Sequence, residues 1–369
     1  MTVAAIPASP FSLETLNAAG RRTYLALFFA EHFLGPERVD RLFAGTRARN
    51  ATRMLRYFED CPTDRRIPVP EARFTSHADF LRSHGRGTDP VVFRGAAAAW
   101  PAARKWDLDF FARDYGHAEC VMIDQVGLLS EEERGRYQIS TLRQLVTAIR
   151  AGEKPYLRFS PLIKSHRALL DDLDVDWLRG FRSRFSLREE PQLFIGPASA
   201  LTPLHCALES NVFVQVRGQK RWVLYPARYQ PVLGVRAERL PYFHSGFSPD
   251  HPAPDVALAR HAPAFEIVLD EGDVMFIPPF VWHMVESLTP AISIGYRYNA
   301  LRLAMRSSWA LTIARFMATK PSLLRTLYYS LTATNFLYQP PADAKPPARS
   351  LAKHDERLAE GVARAASDP

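Results

Sequence analysis

Between residues 191 and 299 the chain is written in short runs of β-forming residues divided by turn signals, and no other feature constrains the fold as strongly. NVFVQVRG, KRWVLYPA, FEIVLDEGDVMFIPP and AISIGYRYN are alternating or continuous β-formers, with Gly, Pro and Asp between them. Many short strands at such spacing predict a jelly roll or barrel. KPYLRFS and EPQLFIGP, bounded by Pro and Gly, add two candidate strands upstream.

Helical patterns flank this region. SLETLNAAGRRTYLALFFAEHFLG has a cap at Ser12 and a stop at Gly35, and ISTLRQLVTAIRAGE ends near Gly152. Residues 300 to 337 return to helix, and the Pro-rich, polar end predicts disorder. The expected organisation is α+β: an N-terminal helical segment (1–62), a double-stranded β-helix core (63–299), a C-terminal helical segment (300–338) and a disordered tail (339–369).

Composition excludes several classes. A chain of 369 residues with a 47% hydrophobic and 23% charged fraction is an ordinary globular protein able to bury a large core. The net charge of +8 suits acidic partners, or simply a basic solvated surface, and no nucleic-acid motif accompanies it. Cys61, Cys120 and Cys206 show no paired spacing, which points to a reducing compartment. The N-terminus lacks the basic-then-apolar order of a signal peptide, and YLALFFA is soon interrupted by Glu31 and His32. A cytoplasmic location is therefore expected.

The chemistry concentrates in TPLHCALE and GDVMFIPPFVWHMVES. Residues two apart on a strand face the same way, so His, any residue, then Asp or Glu projects two metal ligands to one side. A second histidine from a distant strand completes a facial triad for iron. His205 and His283 fit the two histidine places, but the carboxylate position is Ala207. The Gly272–Asp273 turn and the prolines after it shape a strand that delivers His283 inward.

These motifs, with Asn211, the Q-V-x-G-x-K-R run and L-Y-P, resemble the JmjC-type, cupin-like iron(II)/2-oxoglutarate oxygenases over residues 90 to 299. Within that family the likeness extends to the asparaginyl hydroxylase of hypoxia-inducible factor. The resemblance implies Fe(II), 2-oxoglutarate and O2 as cofactors. It gives Lys220 the distal carboxylate of 2-oxoglutarate, with hydroxyls from Thr202 and Tyr156, and places Asn211 near the iron-proximal end. Glu209, Arg297, Tyr298 and Trp282 are candidate pocket residues, with Arg158 and His244 beside them. Gly295 departs from the family pattern, where an asparagine contacts 2-oxoglutarate. The helices after 300 resemble a dimerisation segment, so a homodimer is expected, with Trp309, Phe316, Leu324, Tyr328 and Phe336 at the interface or core.

Ala207 supplies neither charge nor oxygen. Iron halogenases carry His-x-Ala or His-x-Gly here, with chloride beside the metal, so halogenation is one expectation. Water in that place would leave a hydroxylase, and loss of iron a binding or scaffold module. Glu209 lies four residues from His205, about 13 Å along a strand, and Cys206 faces the opposite side of a regular strand. Either would need a bulge to reach the metal. The substrate stays open: a small molecule, a carrier-bound metabolite or a protein side chain.

Overall fold

The structure is a computed structural model, and it describes residues 18–58, 62–124, 137–235, 243–245, 247–250 and 254–317. The cap at Ser12, Cys61, the positions Leu324, Tyr328 and Phe336, and the tail from 339 lie outside the described residues. Two sheets form the centre. The strands are β1 (Arg66–Pro68), β2 (Val91–Phe93), β3 (Glu119–Asp124), β4 (Tyr137–Thr141), β5 (Pro155–Ser160), β6 (Leu187–Gly196) and β7 (Leu201–Cys206). They continue with β8 (Ser210–Arg217), β9 (Lys220–Tyr225), β10 (Phe243–His244), β11 (Ala264–Leu269), β12 (Val274–Ile277), β13 (Trp282–Ser287) and β14 (Ala291–Asn299).

One sheet runs β1-β11-β9-β13-β7-β10, and the other β2-β12-β8-β14-β6-β5-β3-β4. Apart from the parallel pair of β1 and β11, the ladders between these strands are antiparallel. The sheets contribute jointly to one apolar cluster, in which Phe194 and Phe213 of one meet Trp222, Leu224 and Val285 of the other. Burial of each such side chain contributes about 1.5–3 kcal/mol. This is the α+β jelly roll that the β runs predict.

Each sheet also has an apolar outer face, so both need a cover. On the larger sheet, Val212, Val214, Ile292, Ile294 and Tyr296 pack against a helical layer that includes Leu142–Arg150. Thr141 starts that helix with a capping box to Gln144, and Leu142, Leu145, Val146 and Ile149 form its buried stripe. On the smaller sheet, Leu204, Cys206, Trp282 and Met284 pack under α1 (Ala18–Leu34), α2 (Pro36–Leu55) and the helix Trp309–Phe316. Gly35, at φ 88°, makes the break between α1 and α2 that the sequence places there. No helix among the described residues is long and apolar enough to cross a membrane.

The GD motif explains how β12 and β13 are aimed. Buried Asp273 accepts hydrogen bonds from Gly95 N (2.9 Å), Asp270 N (2.9 Å) and the Arg94 guanidinium (2.7 Å). One carboxylate thus ties the β11–β12 turn to the end of β2, the strand that flanks β12. Asp273→Ala leaves these donors without their charged acceptor. Hydrogen bonds to charged groups are worth about 1.5–3 kcal/mol each, and part of this is recovered by water at the half-exposed Arg94. We expect a loss of about 3 kcal/mol, read as a lower urea midpoint with an unchanged m value.

Candidate metal and co-substrate site

His205 on β7 and His283 on β13 are direct cross-strand partners, so their side chains leave the sheet on the same face. Their ring centroids are 4.2 Å apart, and both residues are buried. Each Nδ1 lies against a backbone carbonyl, His205 on Pro203 O at 2.9 Å and His283 on Val281 O at 2.8 Å. A ring that donates from Nδ1 keeps its Nε2 lone pair as the ligand atom, which is the arrangement of a metal-binding histidine. Burial also holds both rings neutral. It pushes His283 down to about 4 and His205 well below 6.5, and the charge of Arg297 adds to the effect on each.

Beside Pro203 the β7–β13 register slips: His283 pairs with His205, yet Val285 pairs with Thr202. Three residues of β7 therefore span two of β13, and the extra residue brings Thr202 and His205 to the same inner face. Thr202 is buried there, opposite Val285 of the inter-sheet cluster.

Lys220 enters from β9 in phase with Trp222 and Leu224, and its side chain is fully buried. Its Nζ donates to Tyr156 Oη at 3.3 Å and lies 5.4 to 5.5 Å from the ring centroids of Tyr156, Phe194 and Phe213. An ammonium among aromatic faces gains cation–π energy, but three rings and a phenol do not balance a buried charge. Along the ladder Lys220 pairs with Ser287, and His283 pairs with Leu224. The lysine backbone thus sits about 13 Å along the strand from the histidine pair. Trp222 stands between them, 5.5 Å from the His283 ring. A dicarboxylate reaching from the histidines toward Lys220 would meet that charge.

Asn211 on β8 faces the same interior, and its Oδ1 is buried without a hydrogen-bond partner among the described residues. A Cβ built on Gly295 would approach that oxygen to 3.2 Å, so glycine is what leaves room for Asn211 here. Arg297, two residues further along β14, is buried and reaches the interior.

Two expected pocket residues lie elsewhere. Trp282 precedes His283, and strand alternation turns it into the outer cluster under α1. Tyr298 likewise faces the outer helical layer, where its hydroxyl donates to Phe181 O at 2.9 Å. Glu209 is held in an ion pair with Arg188 at 3.5 Å. Cys206 points into the outer cluster, and burial raises its thiol well above 9. Among the described residues, no three His, Cys, Asp or Glu side chains converge as a metal cluster.

The sequence reading left out the aromatic box. Trp222 lies two residues after Lys220, and Phe213 two after Asn211, so period-two phasing carries the signal for both. His244, which the sequence places beside the candidate pocket residues, is the cross-strand partner of His205 on its other side, with rings 6.2 Å apart.

A family model described as a cupin-like domain matches residues 77–302, more than half of the chain. The chain belongs to the cupin-like domain family. Among curated proteins, this cupin-like chain is 28% identical over 228 residues to lysine-specific demethylase JMJ30 of Arabidopsis thaliana, covering 60% of the chain and 52% of the relative. It is 28% identical over 265 residues to human 2-oxoglutarate and iron-dependent oxygenase JMJD4, covering 64% and 62%. A third relative, tRNA wybutosine-synthesizing protein 4 of Aspergillus oryzae, is 26% identical over 247 residues, covering 62% of the chain and 22% of the relative. The chain spans about half to three-fifths of the length of the first two.

The cost of burying Lys220 is itself testable. Lys220→Met fills similar volume and removes the charge, so the protein without added cofactors should become more stable by about 1 kcal/mol or more. Urea denaturation of the two proteins under cofactor-free conditions measures this.

Proposed function

We propose that the chain is an iron(II)- and 2-oxoglutarate-dependent enzyme that oxidises an unactivated C–H bond. The observation that carries this reading is Lys220. A fully buried ammonium with one phenol as its only hydrogen-bond partner among the described residues, on the same interior face as a neutral histidine pair, suits one end of a dicarboxylate. The names of the relatives, a 2-oxoglutarate and iron-dependent oxygenase among them, support the same cofactors.

In this reading His205 and His283 hold iron through Nε2. Lys220, Tyr156 and Thr202 hold the distal carboxylate of 2-oxoglutarate, and Asn211 lies toward its keto-acid end. With O2, the bound iron and 2-oxoglutarate supply the oxidising power, giving succinate and carbon dioxide as co-products. The chain's own part is orientation and dryness. Carbonyls of Pro203 and Val281 fix the imidazoles, and Trp222, Phe213 and Phe194 wall the interior against water.

Ala207 decides the finer chemistry. Two neutral imidazoles, a methyl group and the nearby charge of Arg297 make an iron site poor in negative charge, which favours chloride as the completing ligand and halogenation as the outcome. The second reading, a hydroxylase completed by water, is supported by relatives named as oxygenases and demethylases.

Anaerobic titration with iron(II) and 2-oxoglutarate, with and without chloride, tests both through the visible metal-to-ligand charge-transfer band. We expect a band that needs both additions, with tighter 2-oxoglutarate binding in chloride. Ala207→Asp should retain the band and lose the chloride response. A band indifferent to chloride in the unaltered protein moves the assignment to hydroxylation. Failure to form a band overturns the enzyme reading and leaves a binding or scaffold protein.

A further inference from the structure

We propose that His244 is a positioning residue of the metal site, donating a hydrogen bond to the small exogenous ligand, chloride or water, that takes the place left by Ala207. This inference rests on the iron reading above and deepens it.

Strand β7 has a histidine on each side at the level of His205. His283 of β13 is its partner on one side, and His244 of β10 on the other. Directly opposed residues leave a sheet on the same face, so three imidazoles stand in one row across it. Strand alternation fixes the direction of His244 independently. Its neighbour Phe243 points into the outer cluster, with ring centroids 6.2 Å from Phe28 and 6.3 Å from Phe280. The His244 ring lies nearly parallel to that of His205, at 27°. His205 and His283 are buried, whereas His244 is only half-buried, the most exposed of the three.

The short strand that carries His244 is tied on both sides of it. β10 has two residues, and Phe243 anchors it from outside. On the other flank, buried Ser245 donates its backbone N–H to Leu204 O at 3.1 Å and its hydroxyl to Leu233 O. The same hydroxyl accepts from Phe247 N at 3.0 Å. Anchors on either side of one inward residue fix where its side chain can reach.

In the β7–β10 register Ala207 is the diagonal neighbour of His244, two residues beyond His205. Diagonal neighbours are about 7–8 Å apart, a gap that one imidazole and one small ligand can fill against a methyl group. A carboxylate at position 207 would occupy that gap itself. The three imidazoles do not converge as a metal cluster, so His244 stands beside the ligands rather than among them. An imidazole keeps at least one N–H in either protonation state, and water accepts such a bond. Chloride accepts it too, and a charged acceptor strengthens it.

The test is titration of the cobalt(II)-loaded full chain with chloride and, separately, with azide, followed through the visible d–d bands. We expect both anions to perturb the bands. His244→Phe, which keeps a ring and loses the donor, should weaken both anions tenfold or more. His244→Asn, which keeps a donor, should recover part of that affinity. Cobalt(II) affinity, measured by competition with a chelator, should change less than threefold in either variant, with unchanged near-ultraviolet circular dichroism. Equal anion affinity in all three proteins, or bands that neither anion perturbs, overturns the proposal. A tenfold loss of cobalt(II) in a folded His244→Phe protein also overturns it, by making His244 a ligand. If the unaltered chain takes up no cobalt(II), the iron reading fails and this proposal with it. If the His244 effect is found but 2-oxoglutarate does not bind, the oxygenase reading fails alone.

Discussion

The pairing of β7 with β13 is the constraint on which the site depends. It sets His205 opposite His283 and, through one extra residue near Pro203, turns Thr202 to the same side. A slip of one residue in that ladder would send both imidazoles into the outer apolar cluster and bring Cys206 and Trp282 inward. The outer faces oppose such a slip, because Leu204, Cys206, Trp282 and Met284 are all packed beneath α1, α2 and the helix Trp309–Phe316. Helices remote from the chemistry therefore hold the register that creates it.

Electrostatics forms a second layer on that frame. The interior gathers Lys220, Arg158 and Arg297 near two imidazoles that burial keeps neutral. For Lys220, fully buried with a phenol beside it, burial of the charge is costly, and an anion entering next to it would lower that cost. A ligand held there would stabilise the fold as it binds.

Much of this was legible in the sequence because it depends on short-range rules. Strand runs, the GD turn and the His205 and His283 contexts follow from period-two alternation and turn chemistry, and the β strands appear where the runs predict them. Trp282 and Tyr298 were misplaced because a residue next to an inward one is outward in a regular strand, and nearness in sequence is not nearness in the pocket. The inward turn of Phe159 could not be read, since it comes from a left-handed residue where no glycine or asparagine announces one. The slip at Thr202 has the same origin: a bulge belongs to the partner strand as much as to its own.

Cys206 illustrates how one strand separates two environments. It is the neighbour of His205, yet it lies on the far side of the backbone, fully buried, with its thiol held protonated well above pH 9. A thiol is oxidised through its thiolate and through contact with the oxidant, and this one offers neither. Should reactive oxygen arise at the imidazoles, the groups within reach are aromatic, Trp222 foremost, at 5.5 Å from His283. Sheet pleating thus works as a chemical partition, keeping the Cys206 thiol one peptide away from the histidines and out of their chemistry.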